Sequence, residues 1–168
     1  MPPSQTEATR FIKQQLTAEV LVRHGECSLQ VLGASMMPTL WPHDMVRIVK
    51  RPFEELGVGN IVLYERNNRF YLHRLRKIIP EGSSYVLIAR GDALPHNDPP
   101  LPASHVLGVL AGVRRGDQML TLPGNPSLPL RAVARLLGWS GLLARLLIRF
   151  HTWNSHLDSG SAAESPAA

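Results

Sequence analysis

Apolar and polar residues change rhythm several times along the chain, and each rhythm predicts an element. After an irregular start over Met1 to Thr6, the stretch Glu7 to Val22 carries Phe11, Ile12, Leu16, Val20 and Leu21 at roughly helical spacing, which predicts a short helix. Strand-like patterns follow. Ser28 to Leu32 reads as one strand, and Met45 to Lys50, alternating in part, as a half-buried second. Pro52 to Gly59 is a connection. Ile61 to Glu65 and Phe70 to Ile79 flank Arg66-Asn67-Asn68-Arg69, a hairpin signature. Ser84 to Ala89 is a further strand. Gly91 to Ala103 carries four prolines, which predicts irregular structure. Val106 to Val113 and Gln118 to Leu122 flank Arg114-Arg115-Gly116-Asp117 as a second hairpin.

Short strands joined by turns predict a mainly β fold. The chain divides into an N-terminal segment with a short helix (1–27), a β domain (28–122), an amphipathic helix (130–153) and a disordered low-complexity tail (154–168). Pro123 to Pro129, with three prolines, links the β domain to the helix, and there is no internal repeat. At about 100° per residue, Arg131, Arg135, Arg145 and Arg149 fall on one side of the stretch Leu130 to Phe150. Val133, Leu136, Leu137, Leu142, Leu143, Leu146 and Leu147 cover much of the rest. Such a helix either lies in a membrane interface with its arginines among anionic headgroups, or packs on the β domain with a solvated basic face. Gly138 and Gly141 weaken its middle.

The length of 168 residues suits one domain with a sizeable core plus a tail. A formal charge of +5 fits nucleic acid or an anionic membrane surface as partner. No helix-turn-helix, zinc-finger or aromatic-rich RNA motif is present, so nucleic acid is not expected. Cys27 is the only cysteine, which excludes an internal disulfide and a multi-cysteine metal site. No stretch approaches the ~18 apolar residues of a transmembrane helix, and no apolar run follows the N-terminal charges as in a secretory signal. A cytoplasmic or peripheral-membrane location is the expectation.

Candidate chemistry centres on Val31-Leu32-Gly33-Ala34-Ser35-Met36-Met37-Pro38-Thr39-Leu40. Gly33 permits backbone angles that other residues resist, and Pro38 fixes its own φ and pushes Met37 towards an extended conformation. Ser35 is thereby placed on a shaped turn at the end of an apolar strand, where a hydroxyl can face a cleft. A serine in a turn is ordinary by itself. The wider pattern is not. The box Ser35-Met36-Met37-Pro38-Thr39-Leu40 is followed by Asp44-Met45-Val46-Arg47-Ile48, Val58-Gly59-Asn60-Ile61-Val62-Leu63-Tyr64, Leu72-His73-Arg74 and Gly91-Asp92. In order and spacing these blocks resemble the peptidase core of the type I signal peptidases and the LexA-like autopeptidases. They are most similar to the archaeal and endoplasmic-reticulum signal peptidases, in which a histidine replaces the catalytic lysine of the bacterial enzymes. The resemblance runs from about Leu29 to Val113, roughly half the chain.

It implies a signal-peptidase/LexA-like β fold and a serine endopeptidase, without cofactor, that cleaves a leader or signal-like peptide or protein substrate. Ser35 would be the nucleophile and His73 the base, since a serine hydroxyl needs a neighbouring group to take its proton and histidine titrates near neutrality. Asp98 would orient His73, at the end of the family's acidic pair, with Asn97 replacing the other acid. Asp92 would brace the loop. The Ser35 backbone N–H is the natural oxyanion donor, and Gly33 stands where the family often carries a hydroxyl residue. Lys77 is the rival base, because even spacing puts it on the strand face of His73. Asp92, His96, Asp98 and His105 are a rival metal set, but their spacing matches no strong metal motif. There is no Gly-x-Ser-x-Gly elbow, which disfavours an α/β-hydrolase. The alternatives are a LexA-like autopeptidase and a non-catalytic peptide-binding module on the same fold.

Overall fold

The computed structural model describes residues 16–120. The expected helical positions Phe11 and Ile12, residues Thr121 and Leu122, the expected linker, the expected 130–153 helix and the expected tail lie outside the described residues. Within them, one helix (α1, residues 16–24) precedes a single antiparallel sheet of eight strands. The strands are β1 (Glu26–Gln30), β2 (Met45–Val49), β3 (Ile61–Arg66), β4 (Arg69–Glu81), β5 (Ser84–Arg90), β6 (Leu101–Pro102), β7 (Val106–Arg115) and β8 (Gln118–Leu120). Short 3-10 turns occupy Phe53–Glu55 and Ala103–His105. The strand order is β1-β2-β7-β3-β4-β5-β6, with β8 paired to β7. No helix of the described residues is long and apolar enough to cross a membrane.

The apolar run Ile61-Val62-Leu63-Tyr64 is buried throughout, which is how a strand with both faces covered reads. Ile61 and Leu63 enter one core with Leu21, Met36, Leu40, Val46, Ile48 and Val113. Val62 and Tyr64 enter a second with Leu75, Leu87, Ala89 and Leu101. β3 thus separates two packed layers. Its hairpin to β4 turns on Asn67 and Asn68, with φ of 51° and 56°. Two successive left-handed residues are what the favoured two-residue hairpin turn requires, and asparagine tolerates them.

Four expectations are corrected. The apolar face of α1 is narrower than the sequence spacing indicates: Leu21 is buried, but Leu16 and Val20 are exposed. Gly25 ends this helix with φ of +73°, its N–H donating to the Leu21 carbonyl at 3.0 Å. The left-handed glycine turns the chain early, so β1 begins at Glu26 rather than Ser28 and ends at Gln30. The proline-rich Gly91 to Ala103 stretch is not wholly irregular, because Leu101–Pro102 pairs with Leu87 and Val86 at the sheet edge, where a proline is tolerated. Finally, β4 carries a bulge: Leu75 faces Ala89, yet Lys77 faces Ile88, leaving Arg76 as the extra residue. The bulge inverts the alternation, so Lys77 lies on the face opposite His73 and is exposed.

Candidate active site

The Ser35 turn is anchored by what surrounds it in sequence. Met36, Met37 and Leu40 are buried, and the N–H groups of Met37 and Leu40 donate to the carbonyls of Ala34 and Met36. The Met37–Pro38 peptide is cis. Trp41 Nε1 donates to the Pro38 carbonyl at 2.9 Å. Upstream, Val31 is tied to the start of β2 by Val31 N–H to the Asp44 carbonyl and His43 N–H to the Val31 carbonyl. Gly33 does not have a positive φ, and a side chain there would meet nothing within 4 Å. The strain relief expected of Gly33 is therefore absent, and a larger residue would fit.

His73 and Arg74 are neighbours on β4, so their side chains leave opposite faces. They sit where β4 passes from one partner to the other, since Arg74 is paired with Ile61 of β3 and Arg90 of β5. His73 enters the face of Tyr64 and Tyr71, with ring centroids 6.2 and 5.9 Å away. Arg74 is fully buried on the other face. Its Nε and Nη2 donate to the Asp92 carboxylate at 2.8 to 3.3 Å, and its Nη1 to the Gly59 carbonyl at 2.9 Å. Arg76 Nη2 and Thr39 Oγ1 complete the shell of Asp92 at 2.9 and 2.7 Å. Burial acts to raise the Asp92 carboxyl. The hydrogen bonds from Arg74 and Thr39, with the charges of Arg74 and Arg76, outweigh it and hold the group below the usual carboxylate range.

The loop after β5 crosses the Ser35 turn. The Ala93 N–H donates to the Ser35 carbonyl at 2.9 Å. At Gly91 a Cβ would come within 2.6 Å of that same carbonyl oxygen, so only glycine permits the approach. Further on, the Asp98 N–H donates to the Ala89 carbonyl, and Arg66 donates to the carbonyls of Pro99 and Pro100.

These three supports bring Ser35, His73 and Asp98 together. Ser35 Oγ lies 2.9 Å from His73 Nε2, and His73 Nδ1 lies 2.7 Å from Asp98 Oδ2. The network assigns the tautomer: with a carboxylate at Nδ1, that nitrogen carries the proton, and Nε2 presents its lone pair to the serine hydroxyl. His73 is buried and the Asp98 side chain 15% exposed, which limits water at the pair. Tyr64 donates its hydroxyl to Asp98 Oδ2 at 2.9 Å. Burial first, then the charge and hydrogen bond of Asp98, push the Tyr64 phenol far above its ordinary range and keep it a donor.

Asp92 is not part of this line of groups but is tied to the Ser35 turn through Thr39. Sequence reasoning missed its partners Thr39, Arg74 and Arg76, and also Tyr64 and Arg66. It missed a second buried brace as well: Asp44 receives Arg115 Nε and Nη2, each at 2.8 Å, and the Trp41 backbone N–H at 2.8 Å. Arg115 also stacks over the Trp41 ring. Among the described residues no three His, Cys, Asp or Glu side chains gather to hold a metal ion, and Asp92, His96, Asp98 and His105 do not converge. No protein-family model matches the chain, and no curated protein matches it significantly.

Proposed function

We propose that the protein is a serine endopeptidase of the signal-peptidase-like kind, with Ser35 as nucleophile, His73 as general base and Asp98 as the group that orients His73. The observation that carries this reading is the unbroken chain from Ser35 Oγ to His73 to Asp98, at 2.9 and 2.7 Å, built from three separate elements. In the reaction, Ser35 Oγ bonds to the scissile carbonyl carbon as its proton passes to His73 Nε2. Asp98 stabilises the imidazolium that forms. His73 then returns the proton to the leaving amine, and the acyl-enzyme is hydrolysed by water activated at the same nitrogen. The Ser35 backbone N–H serves the oxyanion. The substrate class is a leader or signal-like peptide, as the resemblance implies.

The bulge in β4 weighs against a Ser-Lys autopeptidase, because Lys77 is on the opposite face from His73. Cys27 is no competing nucleophile, since burial pushes its thiol up, away from thiolate. The test is labelling by a serine-reactive phosphonate together with mass spectrometry of products from a peptide library. Wild-type protein is expected to label at Ser35 and to cleave. Ser35→Ala should do neither while melting normally. Full cleavage by Ser35→Ala rejects the assignment, and a wild type that neither labels nor cleaves favours the peptide-binding module.

A further inference from the structure

We propose that Tyr64 is a positioning residue for the Ser35–His73 pair, acting through Asp98: its hydroxyl fixes the carboxylate oxygen against which His73 is set. The catalytic consequence rests on the peptidase reading, whereas the positioning itself does not.

Asp98 has a fixed backbone but a side chain that needs a second hold. Its N–H is bound to Ala89 on β5, and Arg66 on β3 grips the carbonyls of Pro99 and Pro100 just beyond it. Those bonds place Cα. They leave χ2, a broad two-fold torsion in aspartate, to be set by whatever the carboxylate touches. The side-chain bonds to the carboxylate both fall on Oδ2: Tyr64 at 2.9 Å and His73 Nδ1 at 2.7 Å. Of these two partners only Tyr64 is independent of the reaction, because His73 gains and loses a proton.

Tyr64 is suited to that task. It lies on β3, the strand covered on both faces, and is 1% exposed. Its ring stacks on Tyr71 with centroids 5.5 Å apart and an interplanar angle of 16°. A buried phenol needs a hydrogen-bond partner, and the hydroxyl finds Asp98. Its distance of 3.5 Å to His73 Nδ1 is too long to compete. Because Nδ1 already carries a proton, the hydroxyl proton points to the carboxylate. Two residues along the same strand, Tyr64 and Arg66, thus hold the acid from below, one by its carboxylate and one by the adjoining backbone.

Tyr64→Phe removes the hydroxyl and keeps the ring in its stack. In the full-length protein, the expected result is a fall in kcat of about tenfold, the size of one hydrogen bond to a charged group, with KM unchanged. In an Asp98→Asn background the same substitution should have no further effect, because the two act through one another. The reading independent of hydrolysis is the low-field proton resonance of His73 Nδ1–H, observed at low temperature and assigned by its absence in His73→Gln. It should be sharp in the wild type and broadened by exchange in Tyr64→Phe. An unchanged resonance overturns the proposal whatever the rates, and so does an additive loss on Asp98→Asn. A broadened resonance in a protein that cleaves nothing upholds the positioning role and removes the peptidase reading alone.

Discussion

Asp92→Asn and Asp98→Asn make the same chemical change at two carboxylates of one loop, and the structure requires them to fail in different ways. The Asp92 side chain is 2% exposed and that of Arg74 0%. Asparagine fills the same space but withdraws the charge that offsets a guanidinium unable to lose its proton. It also turns an NH2 towards donors. Removing one partner of a buried pair costs about 3–5 kcal/mol. Arg76 is partly exposed, so its loss adds little. For a chain of this size, each kcal/mol moves Tm by about 2–4 °C, so Asp92→Asn should lower Tm by roughly 10 °C. Its kcat, measured well below that melting point, should stay within about tenfold of wild type, since the hydrogen bonds of Asp92 go to Thr39, Arg74 and Arg76 and not to Ser35, His73 or Asp98. Asparagine keeps the volume of Asp98, whose side chain is 15% exposed, so Asp98→Asn should cost about 1 kcal/mol, the size of one hydrogen bond. Its turnover should fall by about 10⁴, because an amide that offers its NH2 to Nδ1 stabilises the wrong tautomer. Thermal unfolding by circular dichroism and steady-state cleavage of a peptide substrate give both numbers on the same samples. An Asp92→Asn protein that melts with the wild type, or an Asp98→Asn protein with normal turnover, refutes the division of roles.

The depressed Asp92 carboxyl makes a statement about acid. Its stabilisation is complete above the ordinary carboxylate value of about 4 and is lost as pH falls through the lower folded value, so Tm should drop below about pH 4, and Asp92→Asn should flatten that limb in a pH series of melts. Gly91→Ala forces a Cβ to 2.6 Å from the Ser35 carbonyl oxygen; phosphonate labelling should slow at least tenfold, with a stability loss of about 1–3 kcal/mol, and normal labelling kinetics would show that the loop does not hold Ser35 in place. Lys77→Ala should leave labelling unchanged and Tm within the scatter of a surface substitution of about ±0.5 kcal/mol, whereas lost labelling would restore lysine as the base.

Strand positions were legible in the sequence because their cause is local. The run at Ile61 to Tyr64, the Asn67-Asn68 turn and the partial alternation at Met45 to Lys50 each declare an element within a few residues. The facing of residues beyond a bulge was not legible in that way. One extra residue at Arg76 reverses every later side chain on β4, and its cause lies in the pairing with β5. Lys77 is the case that matters, since its supposed face was an argument from parity alone.

The polar supports were hidden for a related reason. Thr39 meets Asp92 across 53 positions, Arg115 meets Asp44 across 71, and Tyr64 meets Asp98 across 34. No local rhythm records such partners. Ser35, His73 and Asp98 stood out because the resemblance to the signal peptidases implies a role for each, whereas it implies none for Tyr64, which lies in an apolar run that any buried strand would show. Its ring explains that position so completely that the hydroxyl passes unnoticed. The sequence does hold one hint, visible only once burial is known. A buried strand position filled equally well by phenylalanine needs a reason for its oxygen, because an unpaired buried hydroxyl costs free energy. Asking where that oxygen finds a partner leads from β3 to the carboxylate beside His73.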